Sequence, residues 1–407
     1  MLENVATLIY PKYVEYFKCD GQRCGAKCCK NWCVDIDADT FKKYEQIESA
    51  DKEITSKINY NEERKGYVIQ LKANGDCPFL TEENLCSIQK NHGENFLSMV
   101  CKTYPRHNVK IGDTLEYSLS LTCPLVAELA LSSDDAITLK TIKIPDEPVN
   151  YITNKIPADI QPHFPVMQLA AMVILKEMDY LTIDQRIAVL GSFWLNVDDL
   201  IKEGRADEIE NLAKLFMSAN FWEEYGANLF EDINFDYAKF LSIMFDCVIK
   251  NLLPPTSKKT SIILAEIMQV NVLKDFLMPK KDDSEEIATE LAKSRFDEMN
   301  NLRMEFVSKM DTAFSNYVVH EIFQNLYPFC VEGSIAHNFA VMVAVYKFVE
   351  LTTFVPNYKN TTLRGVINNI SERSRGINNN KNCLKNLSAE LTDEEDMTKI
   401  ISTFLPI

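Results

Sequence analysis

Glycine is scarce, with 12 residues in a chain of 407. So little glycine fits helices joined by short turns better than a glycine-punctuated sheet. No Gly-x-Gly-x-x-Gly follows a strand-like run, so a doubly wound nucleotide-binding sheet is not indicated. No segment reaches the roughly twenty consecutive apolar residues that a bilayer span requires. The opening segment, MLENVATLIYPKYVEYFKCD, has no basic start, no uninterrupted apolar core and no small-residue cleavage site. The expectation is a cytoplasmic protein without membrane insertion, whose thiols stay reduced. Basic residues are in deficit: 43 Lys and Arg stand against 59 Asp and Glu, a net charge of -16. Nothing offsets repulsion from a phosphate backbone, so nucleic acid is not an expected partner, whereas a partner presenting lysines would suit. The 46% hydrophobic content is that of a globular chain, and the length suits about two or three domains.

Cysteine is what the chain has in excess, and it is unevenly placed. Nine of the twelve cysteines precede residue 124: Cys19, Cys24, Cys28, Cys29, Cys33, Cys77, Cys86, Cys101 and Cys123. Cys247, Cys330 and Cys383 are scattered and read as core residues. Thiolates so crowded in a reducing compartment indicate a metal or a cluster rather than disulfides.

The predicted class is mainly α, with an N-terminal cysteine-rich α/β metal-binding module followed by an all-helical region. Residues 1–133 form the module, 134–165 a proline-rich extended linker or wrap, and 166–407 the helical domain. Within the module, the pattern predicts a helix from Thr40 to Ser49 capped by Asp39, and a short strand from Tyr67 to Leu71. A helix from Glu94 to Cys101 should end before Pro105. The Gly112-Asp113 pair between two strand-like runs suits a type II′ hairpin. Beyond the linker, helices are expected at 166–180, 182–203 with Gly204 following, 207–219, 236–252, 261–277, 285–327 with at least one break, 336–352 and 361–375, then a weaker C-terminal one.

Two cysteine blocks must meet in space. One is Cys19 with Cys24-x3-Cys28-Cys29; the other is Cys77, Cys86, Cys101 and Cys123. Adjacent cysteines should diverge, so Cys28 and Cys29 serve different centres, or one of them packs. Asn74-Gly75-Asp76 before Cys77 favours a tight turn that aims N–H groups at the sulfur. Cys123 precedes Pro124 at the start of a helix, where a thiolate is favoured and a lowered thiol pKa is expected. The spacing is neither the paired Cys-x2-Cys of a zinc ribbon nor a radical triad, since Asn31 stands where a third cysteine would be needed. Spacing leaves zinc and iron–sulfur equally open, as well as which sulfurs bind and whether there is one centre or two.

Cys24-x3-Cys28-Cys29-x2-Trp32 followed by Val34-Asp35-Ile36-Asp37 resembles the flagellin lysine-N-methylase family. So do Cys77-Pro78-Phe79-Leu80, Leu85-Cys86-Ser87-Ile88-Gln89, Cys101-Lys102-Thr103-Tyr104-Pro105-Arg106 and Leu121-Thr122-Cys123-Pro124. Tyr180-Leu181-Thr182 through Arg186, Leu190 and Gly191, Asn316-Tyr317, and Ile322 to Phe329 extend the resemblance through the helical region. It implies S-adenosylmethionine-dependent methyl transfer to flagellin lysines, supported by a [4Fe–4S] cluster. The alternative is a non-enzymatic iron- or zinc-binding protein sharing only the cysteine module. The family tends to carry Arg-x2-Glu-His-Asn near the C-terminus, whereas Arg375 here is followed by Asn378 and Asn379. Cys33 lies outside the family pattern.

Methylating a lysine needs an unprotonated amine, so a base or a desolvating pocket is expected. Asp35, Asp37, Tyr104 and Tyr117 are candidates, although each also fits a cap, a turn or a packed ring. Arg106 could pair with an anionic cluster or the cofactor's carboxylate. Trp32 could shield a cluster, and His107 could be a ligand or base. Trp32, Tyr104 and Arg106 are therefore the candidate cofactor contacts.

Overall fold

The turn at Gly112-Asp113 sets the register of the main sheet. Gly112 takes φ +55° while Asp113 stays out of the left-handed region, the residue pattern of a type II′ turn. Ile111 and Thr114 face each other across it. The computed structural model describes residues 5–47, 54–145, 152–218, 285–379, 383–391 and 397–405. Its strands are β1 (Val5–Pro11), β2 (Asp35–Ile36), β3 (Ile58–Asn61), β4 (Gly66–Ile69), β5 (Arg106–Ile111), β6 (Thr114–Leu119), β7 (Leu139–Pro145) and β8 (Ile152–Thr153). A five-stranded sheet runs in the order β7-β1-β6-β5-β8, and a three-stranded one in the order β2-β4-β3. Residues 134–165, expected as an extended linker, supply β7 and β8 at the two edges of the larger sheet. Pro145 is tolerated there because an edge strand has an unpaired side.

The helices are α1 (Gly21–Cys24), α2 (Ala38–Ile47), α3 (Ser87–His92), α4 (Met99–Thr103), α5 (Pro124–Leu131), α6 (Phe164–Glu177), α7 (Ile183–Lys202), α8 (Ile209–Phe216), α9 (Glu285–Lys309), α10 (Asp311–Asn325), α11 (Ile335–Asn357), α12 (Leu363–Asn379), α13 (Cys383–Glu390) and α14 (Met397–Phe404). Thr182 and Gln185 form a reciprocal capping box on α7. The break expected between 285 and 327 falls at Met310. Two expectations need correction. Asp37, not Asp39, caps α2, with Oδ1 accepting the Thr40 N–H at 2.9 Å. The helix expected from Glu94 to Cys101 splits at extended Leu97, because Ser98 caps a new start and accepts the Cys101 N–H at 3.3 Å. The helices expected at 236–252 and 261–277, and Cys247, lie outside the described residues.

Among the described residues one helix, over Ile335–Phe354, is long and apolar enough to cross a membrane, which the sequence reading did not anticipate, but 89% of its apolar window is buried inside the protein. Its Lys347 and Glu350 close a buried ring of charges with Asp184 and Arg303: Lys347 bonds Asp184 at 2.5 Å and Glu350 at 2.9 Å, and Arg303 bonds Asp184 at 2.8 Å and also Glu350.

The helical region is clasped to the module through its backbone carbonyls. His320 Nε2 donates to Leu119 O at 2.9 Å, Ser371 Oγ to Leu121 O at 2.8 Å, and Asn316 Nδ2 to Ala130 O and Ser133 O at 2.8 Å each. Burial lowers the His320 pKa to about 4, so its ring is neutral, and the bond to Leu119 O places the remaining proton on Nε2.

Candidate metal centre and active-site cleft

Local structure explains how the two cysteine blocks meet. Asp20 caps α1, and left-handed Gly25 and Ala26 turn the chain into Lys27–Cys29. The Cys77 N–H then bonds Cys29 O at 2.8 Å, joining the blocks. Gly75 is required here: it takes φ +86°, and a Cβ on it would stand 2.3 Å from Asn31 Oδ1. Asn74 Oδ1 accepts the Asp76 N–H at 3.0 Å, completing the expected turn. Cys86 caps α3 and Cys123 caps α5, each with N–H groups of the following turn directed at its sulfur. Asp37 Oδ2 accepts the Met99 N–H at 3.0 Å and so holds α4, with Cys101, against β2.

All the described cysteines are free thiols. The expected lowered pKa at these caps is overturned. Burial pushes Cys77 up to about 12, and Cys101 and Cys123 up to about 11, outweighing the N–H groups and the Ser98 hydroxyl that favour the thiolates. Nor do Cys28 and Cys29 diverge, since their sulfurs lie 3.9 Å apart. The contact to Cys29, aided by the Arg375 charge, lowers Cys28 to about 7 and raises Cys29. Thiols of this kind are protonated in the folded chain, so binding a cation would release their protons. Among the described residues no three Cys, His, Asp or Glu side chains come close enough to hold a single ion. Tetrahedral zinc would need sulfurs about 3.8 Å apart. Cys33 lies beside the Arg64 guanidinium instead.

Cys28 opens into a cleft of about 460 Å³ between the module and the helical region. Trp32, Tyr104 and Arg106 all line it, as does His107. The Trp32 indole N–H donates to Cys28 O, and its ring sits 6.2 Å from that of Tyr104. Burial holds the Tyr104 phenol protonated, and it accepts the Thr122 hydroxyl at 3.0 Å. Burial lowers the His107 pKa, leaving a neutral imidazole. The other candidate bases have structural work. Asp35 pairs with Arg64 at 2.8 Å, Asp37 caps α2 and accepts the Met99 N–H of α4, and Tyr117 lies against Arg106.

The opposite wall comes from the helical region. Arg375 donates to Thr122 O at 2.7 Å and Lys27 O at 3.3 Å. Asn378, which stands where the family tends to carry Glu, also lines the cleft. Buried Gln324 contributes an Oε1 with no partner among the described residues. The sequence reading assigned no role to Arg375 or Gln324, although both stand inside its family-like segments. Among the described residues no Asp or Glu lines the cleft, whereas Lys27, Arg106 and Arg375 do.

The sequence profile of the FliB lysine N-methylase C-terminal domain matches residues 173–404, more than half of the chain. A second profile, described as a proposed zinc- or iron-chelating domain, matches residues 18–124. The flagellar biosynthetic protein FliU of Salmonella muenchen is 34% identical over 138 residues, covering 33% of this chain and 82% of that protein. The lysine-N-methylases of Salmonella choleraesuis (strain SC-B67) and Salmonella typhimurium (strain LT2) are each 35% identical over 145 residues, covering 33% of this chain and only 36% of their own length. No solved structure matches significantly. With one family profile over the helical region and a chelating profile over the cysteine block, this chain belongs to the FliB lysine N-methylase family.

Proposed function

We propose that the protein is an S-adenosylmethionine-dependent protein-lysine N-methyltransferase that acts on flagellin lysines in the cytoplasm, with a [4Fe–4S] cluster held by cysteines among Cys19, Cys24, Cys28, Cys29, Cys77, Cys86, Cys101 and Cys123. One observation carries the reading: a single cleft has Cys28 in one wall and Arg375 with Gln324 in the other. The names of the relatives supply the reaction and the flagellar substrate, and the net charge of -16 suits a lysine-presenting partner. Iron is favoured over zinc because among the described residues no three ligand side chains come together on one ion, whereas a cluster takes its thiolates on separate irons.

S-adenosylmethionine would supply an electrophilic methyl group, and the chain's own residues must deliver a neutral amine to it. A free lysine titrates near ~10.4. A cleft whose described lining carries Arg106 and Arg375 and no carboxylate, with Lys27 paired to Glu372, disfavours the ammonium form and so lowers that value. Neutral His107 can take the departing proton, directly or through water. The unpartnered Gln324 Oε1 can accept an N–H of the amine and orient its lone pair. The Arg106 fork matches the cofactor's carboxylate, and the Trp32 and Tyr104 rings offer flat apolar faces to the rest of it. With Asn378 in place of the family's Glu, no carboxylate among the described lining residues competes with His107 for the proton.

The test is to incubate anaerobically purified protein with S-adenosylmethionine and flagellin, then to weigh the flagellin by mass spectrometry. Methylene-sized steps are expected, and they should be lost in His107→Gln while its iron content is unchanged. Unmodified flagellin in the presence of iron-loaded protein overturns the proposal.

A further inference from the structure

We propose that Asn325 is a second contact for the substrate amine beside Gln324, and that Glu321, one helical turn behind the cleft wall, is the residue that positions it. The inference deepens the methyl-transfer reading above and rests on its lysine substrate, not on the cysteine block.

As a structural residue Glu321 is a burden to the fold. It is 8% exposed, it lies in the last turns of α10, where the helix dipole disfavours an anion, and among the described residues no cation pairs with it. The titratable groups around it, Tyr317 on α10 and Tyr327 and Cys330 just beyond, are held protonated by burial and offer no charge. Burial raises the Glu321 carboxyl itself to about 7. Its one directional contact among the described residues is to Asn325, whose Nδ2 donates to Glu321 Oε2 at 2.7 Å.

That contact dictates which end of the amide meets the cleft. A carboxylate only accepts, so Nδ2 must face Glu321, and Oδ1 is the end left over. Among the described residues Oδ1 has no partner, and Asn325 lines the cleft whereas Glu321 does not. Left-handed Leu326 ends α10 directly afterwards, its N–H closing on Ile322 O, so Asn325 stands at the helix end. Gln324, 6% exposed, lines the same cleft with an Oε1 that is also unpartnered. Two carbonyl oxygens on one wall suit a neutral primary amine, which has two N–H groups to donate and keeps its lone pair turned into the cleft.

The experiment compares the anaerobically purified full chain with Glu321→Gln and Asn325→Asp, in methyl transfer to flagellin and in binding of a peptide with one lysine. Glu321→Gln keeps the size of the side chain and a bond to Asn325, but its amide both donates and accepts, so Asn325 can present either end. Its urea midpoint should equal or exceed that of the parent, since a buried charge is removed. Its kcat should nevertheless fall about three- to tenfold with KM for flagellin unchanged, which a purely structural Glu321 would not produce. In Asn325→Asp the buried Glu321 keeps the shared proton, so the negative charge moves from behind the wall to its surface. The ammonium form is then stabilised, and the pH of half-maximal rate should rise by about one unit. Calorimetry in buffers of different ionisation enthalpy reads the amine site without turnover, with a norleucine peptide as control. At about pH 8 the parent should release about one proton per lysine peptide bound, and Asn325→Asp far less. Parent-like kcat in Glu321→Gln, or an unshifted pH profile in Asn325→Asp, overturns the inference. If the iron-loaded parent transfers no methyl group, the methyl-transfer reading falls and the binding measurement decides alone. Proton release that drops in Asn325→Asp then supports the amine site, whereas equal release, or no peptide binding by the parent, overturns it.

Discussion

Replacing Arg375 with Met keeps a long apolar stem and removes every donor. Arg375 is the last anchor between α12 and the cysteine block, with bonds of 2.7 Å to Thr122 O and 3.3 Å to Lys27 O. A charged donor at good distance contributes about 1.5–3 kcal/mol, and the longer bond belongs at the weak end, about 0.5–1 kcal/mol. Arg375 is only half-buried, so water partly replaces what is lost, and a total of about 2–3 kcal/mol is expected. Urea unfolding measures that loss as a shift of midpoint at constant slope. The two carbonyls immediately precede Cys123 and Cys28, so the variant should also release metal to a chelator several-fold faster than the parent. Arg375→Lys, which keeps one charged donor, should recover about half of the stability. A loss below about 0.5 kcal/mol, or a full loss with unchanged metal release, refutes the claim that this side chain secures the sulfur loops.

Other perturbations probe the frame. Burial raises the Glu116 carboxyl from 4.5 to about 8, so the folded chain holds a proton that the unfolded chain gives up, and stability falls as pH rises through that window. Glu116→Gln should therefore gain stability relative to the parent between pH 5 and pH 8, by up to about 1.4 kcal/mol per pH unit; a difference independent of pH would contradict the assignment. Lys347→Met leaves Asp184 and Glu350 sharing Arg303 alone, and should lower stability by about 3–5 kcal/mol in thermal or urea unfolding, whereas a loss under about 1 kcal/mol would mean that the ring is not closed in solution. Gly75→Ala places a Cβ against Asn31 at a left-handed position, so a loss of about 1–3 kcal/mol with reduced metal content is expected, and full metal content would show that the turn does not set Cys77.

Features governed by local chemistry were legible in the sequence. The Gly112-Asp113 turn, the helix that starts after Thr182, the helix start at Pro124 and the break between α9 and α10 each follow from residues a few positions apart. Features governed by distant pairing were not. Whether Val5–Pro11 becomes a strand depends on Thr114 and Thr141, far along the chain, and the segment after residue 134 becomes sheet edge only because β1 and β5 offer open sides. The same distinction holds at the site. Crowding identified the cysteines, and proximity to Cys101 identified Tyr104 and Arg106. Asp37 looked like a possible base because nothing local shows that its two oxygens are taken by Thr40 and Met99. The thiol pKa expectation failed for a related reason: the helix ends are visible in sequence, but the burial that outweighs them is a property of the packed core.

The charge of the cleft links the cysteine block to the proposed chemistry. The protein as a whole is acidic, yet among the described residues this surface is lined by Lys27, Arg106 and Arg375 and by no carboxylate. Lys27 is neutralised by Glu372 at 2.9 Å, which leaves Arg106 and Arg375 facing Cys28 and the rings of Trp32 and Tyr104. Such a field does two opposite things. It favours anions, including thiolates, an anionic cluster and a ligand's carboxylate, and it disfavours an ammonium group in the same space. The acidic outer surface would attract a lysine-rich partner, and the cationic cleft would admit its side chain more readily after the proton has left. A carboxylate at position 378 would weaken that selection, because it would stabilise the ammonium form that cannot react. Asn378 therefore accords with a site in which proton removal is driven by the local field and His107, rather than by an acidic residue.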